Sequence, residues 1–478
     1  MIVLLLAVPL VGAGILSRAT GRLAGTVHGL TTACTLVIGL VVATVGVRGR
    51  VDTALDGFLR VDALAAWMIA VIVVVGALAA TEAPRYALHD ERRLYPLLHL
   101  MIFSMLLAVS TDDVGAMWVA VEGTTLASVF LVNFERTRAS LEAAYKYLLI
   151  CSVGIAIAFA GTVLVYYAEM VRQQTLAVHA PSALRWTTLV ALAPALPSRV
   201  LEVAFVCLVV GYGTKAGLAP MHTWLPDAHS EAPAPVSALM SGVLLSVGVY
   251  AIARFKPIID AAGGSGFAGR ILLALGLLSL AVAAVFLWAP DNYKRMLAYS
   301  SVEHIGLVCL GLGFGGALGV AGALLHVANH GLAKSALFLL AGRIRAAYGT
   351  VELARVRGLL TALPFTGRAF VVALIALLGL PPFGLFTSEV MIVAAGIEQG
   401  HAWIAGATLV LLVLAFGGLL RAAHAMTVGA APEVGAARGS WVTALPIVAA
   451  LALLVLTGVA WPPGLGAALA LAAQAVTR

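Results

Sequence analysis

The sequence predicts an all-α polytopic membrane protein of about fourteen transmembrane helices, and three observations carry that expectation. Of 478 residues, 62% are hydrophobic and only 11% charged. That charged share is about half of what a soluble domain carries. Apolar runs of roughly 17 to 25 residues, the length that crosses a bilayer as a helix, consume almost the whole chain. The basic residues lie singly or in pairs at the ends of those runs, as topology signals do. A soluble enzyme is therefore excluded, and the formal charge of +7 is not a nucleic-acid surface.

In chain order the spans fall at 1–16, 28–47, 62–80, 96–110, 114–133, 145–168, 200–226, 234–255, 269–289, 296–316, 318–342, 367–398, 402–424 and 441–462. The apolar start lacks the charged leader and small-residue cleavage site of a secretory signal, so it reads as a retained first span. Segment 186–196 is apolar but short, holds Pro194 and precedes Pro197, and reads as an extramembrane or interfacial piece. The charge-rich stretch 81–95 reads as a solvated or partner-docking loop. Of the 29 Lys and Arg, 17 occupy one set of alternate loops, from Arg18 to Arg438, and 10 the other. The richer set is expected in the cytoplasm, with both termini on the outer side of the cell inner membrane.

Two spans look interrupted. The seventh contains Gly217 and Pro220, and proline removes a helical donor. The twelfth, about 48 Å long as one helix, overshoots a ~30 Å core and is broken by Pro381, Pro382 and Gly384. Interruptions five spans apart suggest an internal repeat with an inverted second copy. The organisation expected is 1–95 as a three-helix segment, 96–255 and 269–424 as five-helix repeats, and 441–478 as a last span with a short tail.

Four charges fall where hydrocarbon is expected: Glu122 in span five, Lys215 in span seven, Lys334 in span eleven and Glu389 in span twelve. Each costs about 2.5–3.5 kcal/mol at the bilayer centre. Two acids and two amines can neutralise one another, as structural ion pairs or as a path for charge. The chain has 24 Arg and 5 Lys, yet both embedded bases are Lys. Lysine can release its proton when desolvated, and arginine cannot. His326, His330 and Lys334 share one face of span eleven at i, i+4 and i+8. A stripe of three titratable groups favours a proton relay over packing. A Glu122–Lys215 pair that opens and closes would change the lysine's proton affinity, which makes it a switch.

Other features carry less. Cys34, Cys151, Cys207 and Cys309 lie apart in apolar runs with no CxxC pair, so neither an iron–sulfur cluster nor a metal site is expected. Gly311-x-Gly313-x-x-Gly316 lacks a preceding strand and reads as close helix packing, not as a nucleotide site. No cofactor is expected.

The stretch from Lys215 through HTWLPDAHSEAPAPVSALMSGV (His222 to Val243) resembles the signature of antiporter-like subunits of respiratory complex I, Mrp-type antiporters and membrane-bound hydrogenases. DNYKRMLAYSSVEHIG, HVANHGLAKSALFLLAG and GLPPFGLFTSE extend the similarity over spans four to thirteen. The wording of AAYKYLLICSVGIAIAF and SSVEHIG is most similar to the F-type subunit of hydrogenase and formate-hydrogenlyase-like complexes. The resemblance implies fourteen helices with two inverted five-helix repeats. It implies that Glu122, Lys215, His330, Lys334 and Glu389 form a central polar axis; His326 joins them on helical spacing alone. It departs from the family at Ser241 and Gly242, where several relatives carry a protonatable side chain, and the chain ends without the long lateral helix of the distal complex I subunit.

The function expected is proton translocation within a redox-driven, hydrogenase-like or NADH-quinone-oxidoreductase-like complex. Protons would enter near His222, Asp227, His229 or His304, with no redox centre in this chain. Further antiporter-like subunits and a redox module are the expected partners. A sodium/proton antiporter subunit, a non-conducting membrane anchor and a subunit driving inorganic-carbon uptake are the alternatives.

Overall fold

Every expected apolar run forms helix in the computed structural model of the chain, which describes residues 1–176, 184–263, 266–431 and 441–477. Among the described residues, 11 helical segments are long and apolar enough to cross a membrane. Ile2–Leu16, the two arms of span twelve and Trp441–Val459 bring the spans to the fourteen expected. The helices start where side chains can serve the amides that a first turn leaves unpaired. Asp62 accepts from the Ala65 amide at 2.9 Å ahead of Ala63–Glu82, and Asp113 from the Ala116 amide at 2.8 Å ahead of Val114–Val132. Asn292 does the same for Lys294 at 2.8 Å, ahead of Tyr293–Phe314.

Several helices outrun the apolar stretches that announced them. Span six is Arg138–Leu176 and span eleven is Gly316–Tyr348, 39 and 33 residues. At 1.5 Å per residue these are about 58 and 50 Å, so their ends leave the hydrocarbon. The stretch expected as a loop at 81–95 is also helical. Pro84–Ser110 runs through it with a kink at Asp90, where φ is −163° and ψ 78°. Three of its charges are paired: Glu82 lies buried between Arg343 and Arg85, and Arg136 reaches Asp90 at 3.1 Å. Arg438, which the topology argument used, lies outside the described residues.

Glycines set the closest helix approaches. A methyl group on Gly311 would meet the Gly319 carbonyl oxygen at 2.8 Å, and one on Gly313 the Gly269 carbonyl oxygen at 3.0 Å. The glycine triplet is therefore packing, as expected from its lack of a strand. Span eight, Ala234–Ala261, is buried along its whole apolar length and carries a π-helical turn at Met240–Leu244.

One end of the bundle departs from pure helix. Asp52–Ala54 and Leu59–Val61 pair as an antiparallel ribbon, with Asp52 opposite Val61, closed by a turn in which Gly57 adopts φ +82°. The Asp56-Gly57 pair is a common hairpin signal. Trp186–Leu192 packs beside it as a seven-residue helix, far too short to span. Trp186 donates to the Arg254 carbonyl at 2.6 Å, and Thr187 to Asp112 at 2.6 Å. Segment 186–196 thus caps the bundle and leaves the alternation of spans intact. Beneath it, Arg254 forks onto both oxygens of Asp62 at 2.7 Å each. Burial opposes ionisation of Asp62, but the Arg254 guanidinium outweighs it and holds the carboxyl down at about 2. The tail beyond span fourteen forms a further helix, Leu465–Thr477, packed on spans three and eleven.

Candidate functional site

The interruption of span seven builds the first half of the site. Ser198–Ala216 ends at Gly217, whose left-handed φ of +76° turns the chain away from the helix axis. The chain resumes as the turn Met221–Trp224 and the arm Leu225–Glu231. Backbone groups at the break find side-chain partners: Trp224 Nε1 donates to the Thr214 carbonyl at 2.9 Å, and Ser279 Oγ accepts from the Ala219 amide at 3.0 Å. Lys215 occupies the last turn before the break and is wholly buried. Its Nζ donates to Thr125 Oγ1 at 2.9 Å and to Tyr147 OH at 2.7 Å. Tyr147 OH shares a further 2.7 Å hydrogen bond with Ser128. Glu122 sits one helical turn from Thr125 and accepts from Ser152 at 2.9 Å.

The second half gathers on spans ten, eleven and twelve. Lys334 donates to the Leu297 carbonyl at 2.6 Å and to Ser300 Oγ. His330 follows one turn away, and its ring lies 5.3 Å from that of His304. His304 Nδ1 is 3.0 Å from His326 Nε2, and His326 Nδ1 is 2.9 Å from Ser388 Oγ. Span twelve is broken between Pro364–Leu377 and Gly384–Glu398. The Glu389 carboxylate tucks back against Gly379 in that break, where a left-handed φ of +64° favours glycine and a Cβ would crowd the carboxylate. One ligand atom each from His304, His326 and Glu389 lie within 4.8 Å of one another. The three come from different helices, so no spacing along the chain announces them.

Between the halves stands span eight. Ser241, in the π turn, shares a 2.8 Å hydrogen bond with Ser301, the neighbour of the Lys334 partner Ser300. A Cβ on Gly242 would stand 2.7 Å from Ser335 Oγ and 3.1 Å from the Gly331 carbonyl, so that position excludes a longer side chain. His229 stacks on Phe338 of span eleven at 5.2 Å, and neither ring nitrogen has a protein partner. A polar cavity of about 550 Å³ opens at one face, lined by Glu142, Lys146, Asp227, Glu231, Arg295 and Tyr299 among others. Asp227 bridges Lys146 at 3.1 Å and Arg295 at 2.5 Å. His222 lies behind it, its ring 6.1 Å from Tyr299.

All these residues fall within 111–415, the part of the chain that matches the family model described as NADH:quinone oxidoreductase/Mrp antiporter, transmembrane. The chain belongs to this family. A hydrogenase-4 component F homolog of Methylacidiphilum infernorum is 37% identical over 373 residues, 76% of this chain and 77% of that one. The structure of the membrane-bound sulfane sulfur reductase, an archaeal respiratory membrane complex, holds a chain that superposes with a TM-score of 0.89 at 24% identity, covering 100% of this chain and 98% of the other. A chain of respiratory complex I from Thermus thermophilus gives 0.85 at 23%, covering 100% of both.

In this antiporter-like subunit the ten residues singled out from the sequence sit in four places. Glu122 and Lys215 share the first half, but the direct pair expected between them is not formed; each is hydrogen-bonded to hydroxyls instead. His326, His330, Lys334 and Glu389 share the second. Of the four expected at the point of uptake, Asp227 lines the cavity and His222 lies just behind it, whereas His229 and His304 are 0% and 1% exposed. His304 belongs to the histidine cluster and His229 to the boundary between halves, because the arm Leu225–Glu231 folds inward after the break. The Asp62–Arg254 pair and two further buried charges escaped the sequence reading. Glu303 is buried inside span ten and meets the same charge-in-hydrocarbon criterion as the other four. Lys294 was assigned to a loop by a boundary three residues late. It is buried, and its Nζ donates to the Ser230 and Ala232 carbonyls at 2.7 Å each.

Proposed function

We propose that this subunit translocates protons along the buried axis from the Asp227 cavity to Glu389. The single observation that carries the reading is the setting of Lys215: fully buried, beside a broken helix, and hydrogen-bonded to hydroxyls alone. A hydroxyl accepts from an ammonium and can donate to an amine, so Thr125 and Tyr147 serve both protonation states. A fixed carboxylate partner would favour only the charged one.

Protons enter at the cavity, pass His222 and load Lys215. His229 and the Ser241–Ser301 contact bridge to Lys334, and His330, His304 and His326 carry them to Glu389. Ring nitrogens of His229 and His330 and one oxygen each of Glu122 and Glu303 have no protein partner. Buried polar atoms are satisfied by ordered water, which is also what completes a proton file. The repeats 96–255 and 269–424 each place an axis residue beside a break, Lys215 and Glu389, which supports the inverted organisation. The cavity face carries the richer set of basic residues and is assigned to the cytoplasm, with both termini outward and the chain in the cell inner membrane.

Moving each proton against 100 mV costs about 2.3 kcal/mol. A redox module and further antiporter-like subunits of a hydrogenase-type or NADH-quinone-oxidoreductase-type complex are the proposed source and partners. The test is proton uptake by inverted vesicles containing the assembled complex. Lys215→Ala is expected to abolish redox-coupled uptake while the complex still assembles. Undiminished uptake rejects the reading, and uptake that requires sodium replaces it with sodium/proton exchange.

A further inference from the structure

We propose that His304, His326 and Glu389 form a binding site for a divalent transition cation of the zinc type. The three residues come from spans ten, eleven and twelve, so only the fold assembles them. Their ligand atoms lie within 4.8 Å of one another. His304 Nδ1 and His326 Nε2 are 3.0 Å apart. Two nitrogens held by one tetrahedral zinc at about 2.0–2.1 Å lie roughly 3.3 Å apart, so the rings need only separate slightly.

Two imidazoles and a carboxylate suit zinc, cobalt or nickel, and suit sodium, magnesium or calcium poorly, since those take oxygen ligands. The second shell is in place. Ser388 Oγ, 2.9 Å from His326 Nδ1, can accept a hydrogen bond from that nitrogen and leave Nε2 free for the ion. His304, 1% exposed, has an Nε2 with no protein partner. His330, also 1% exposed, presents two such nitrogens to the same cluster. The fourth coordination position falls to His330 or to a water. Glu389 is the one ligand with partial exposure, and the ion approaches past it, through the break. A bound ion pins the arm Gly384–Glu398 to spans ten and eleven.

Binding is independent of whether the subunit conducts protons, so it is measured directly on the purified full-length chain in detergent. Cobalt(II) is titrated while the visible absorption of its tetrahedral complex is followed, and zinc is then added to displace it. One cobalt per chain is expected, displaced by zinc. His326→Gln and Glu389→Gln are each expected to lose the band, with affinity reduced at least about tenfold. His28→Gln, in the separate His28–His99 contact of spans two and four, is expected to keep it. Zinc should also raise the unfolding temperature of the native chain and leave that of Glu389→Gln unchanged. Glu389→Gln preserves side-chain shape at a partly exposed position, so it keeps the test open if His326→Gln misfolds. Absence of stoichiometric binding overturns the proposal, as does a band that survives both ligand variants or disappears with His28→Gln.

Discussion

Lys215 and Lys334 are both buried membrane lysines, yet their surroundings differ in kind. Lys215 is held by a phenol and a threonine hydroxyl on spans five and six, with Glu122 a turn further on. Lys334 is held by a backbone carbonyl and a serine, and two imidazoles of its own helix cluster with a third from span ten. A hydroxyl relays a proton by rotating but does not hold one near neutral pH, whereas an imidazole does both. The first half is therefore suited to hold one proton on one amine and release it when its hydroxyl partners rearrange. The second is suited to pass a proton among several carriers. The contrast follows from which helices break: span seven breaks just after its lysine, and span twelve just before its glutamate.

The largest expected effect tests what the two halves share. Lys215→Arg and Lys334→Arg keep the positive charge but cannot release a proton, and redox-driven proton uptake in vesicles is expected to fall to background in both. If either arginine variant pumps, that lysine is a counter-ion and not a carrier.

A smaller effect marks what lies outside both halves. Asp62→Asn breaks the ion pair that ties span three to span eight, leaving Arg254 uncompensated, and should cost about 3–5 kcal/mol of stability. Thermal unfolding of the purified chain measures it, and uptake per folded molecule should be unchanged. The same pair predicts a pH dependence. Asp62 titrates at about 2 in the folded chain, below its ordinary value near 4 in the unfolded one. Its contribution of about 2 kcal/mol is complete above pH 4 to 5 and is lost as pH falls toward 2. The Asp62→Asn chain should lack that component of acid sensitivity.

Tyr147→Phe separates the halves. Removing one of two partners of a charged amine costs about 1.5–3 kcal/mol, and uptake should fall roughly tenfold or more with the second half untouched. The smallest expected effect is at the junction. Ser241→Ala removes one hydroxyl bridge worth about 1 kcal/mol, so uptake should fall a few-fold without a shift in unfolding temperature. A loss as complete as that of Lys215→Ala would make this contact the sole crossing and would remove His229 from the route.

Much was legible in the chain itself because water and hydrocarbon impose one-dimensional rules. A span must be about 20 apolar residues long, so length and hydropathy alone determined the fourteen spans, the interruptions at Gly217–Pro220 and Pro381–Gly384, and the candidate role of Lys215, Lys334 and Glu389 as charges within spans. Helical spacing likewise put His326, His330 and Lys334 on one stripe. Charges beyond the apolar runs obeyed no such rule, so the helical continuation through 81–95 and the burial of Lys294 stayed hidden.

Which side chain meets which was decided only in three dimensions. Nothing in the order of residues says that Tyr147 reaches Lys215 ahead of Glu122, that His229 turns inward, or that His304, His326 and Glu389 converge from three helices. Those outcomes depend on how the helices rotate and approach one another, and that is governed by glycine contacts such as Gly311 on Gly319 and by the two broken spans. Hydropathy says that a helix is buried; close packing alone chooses its neighbours.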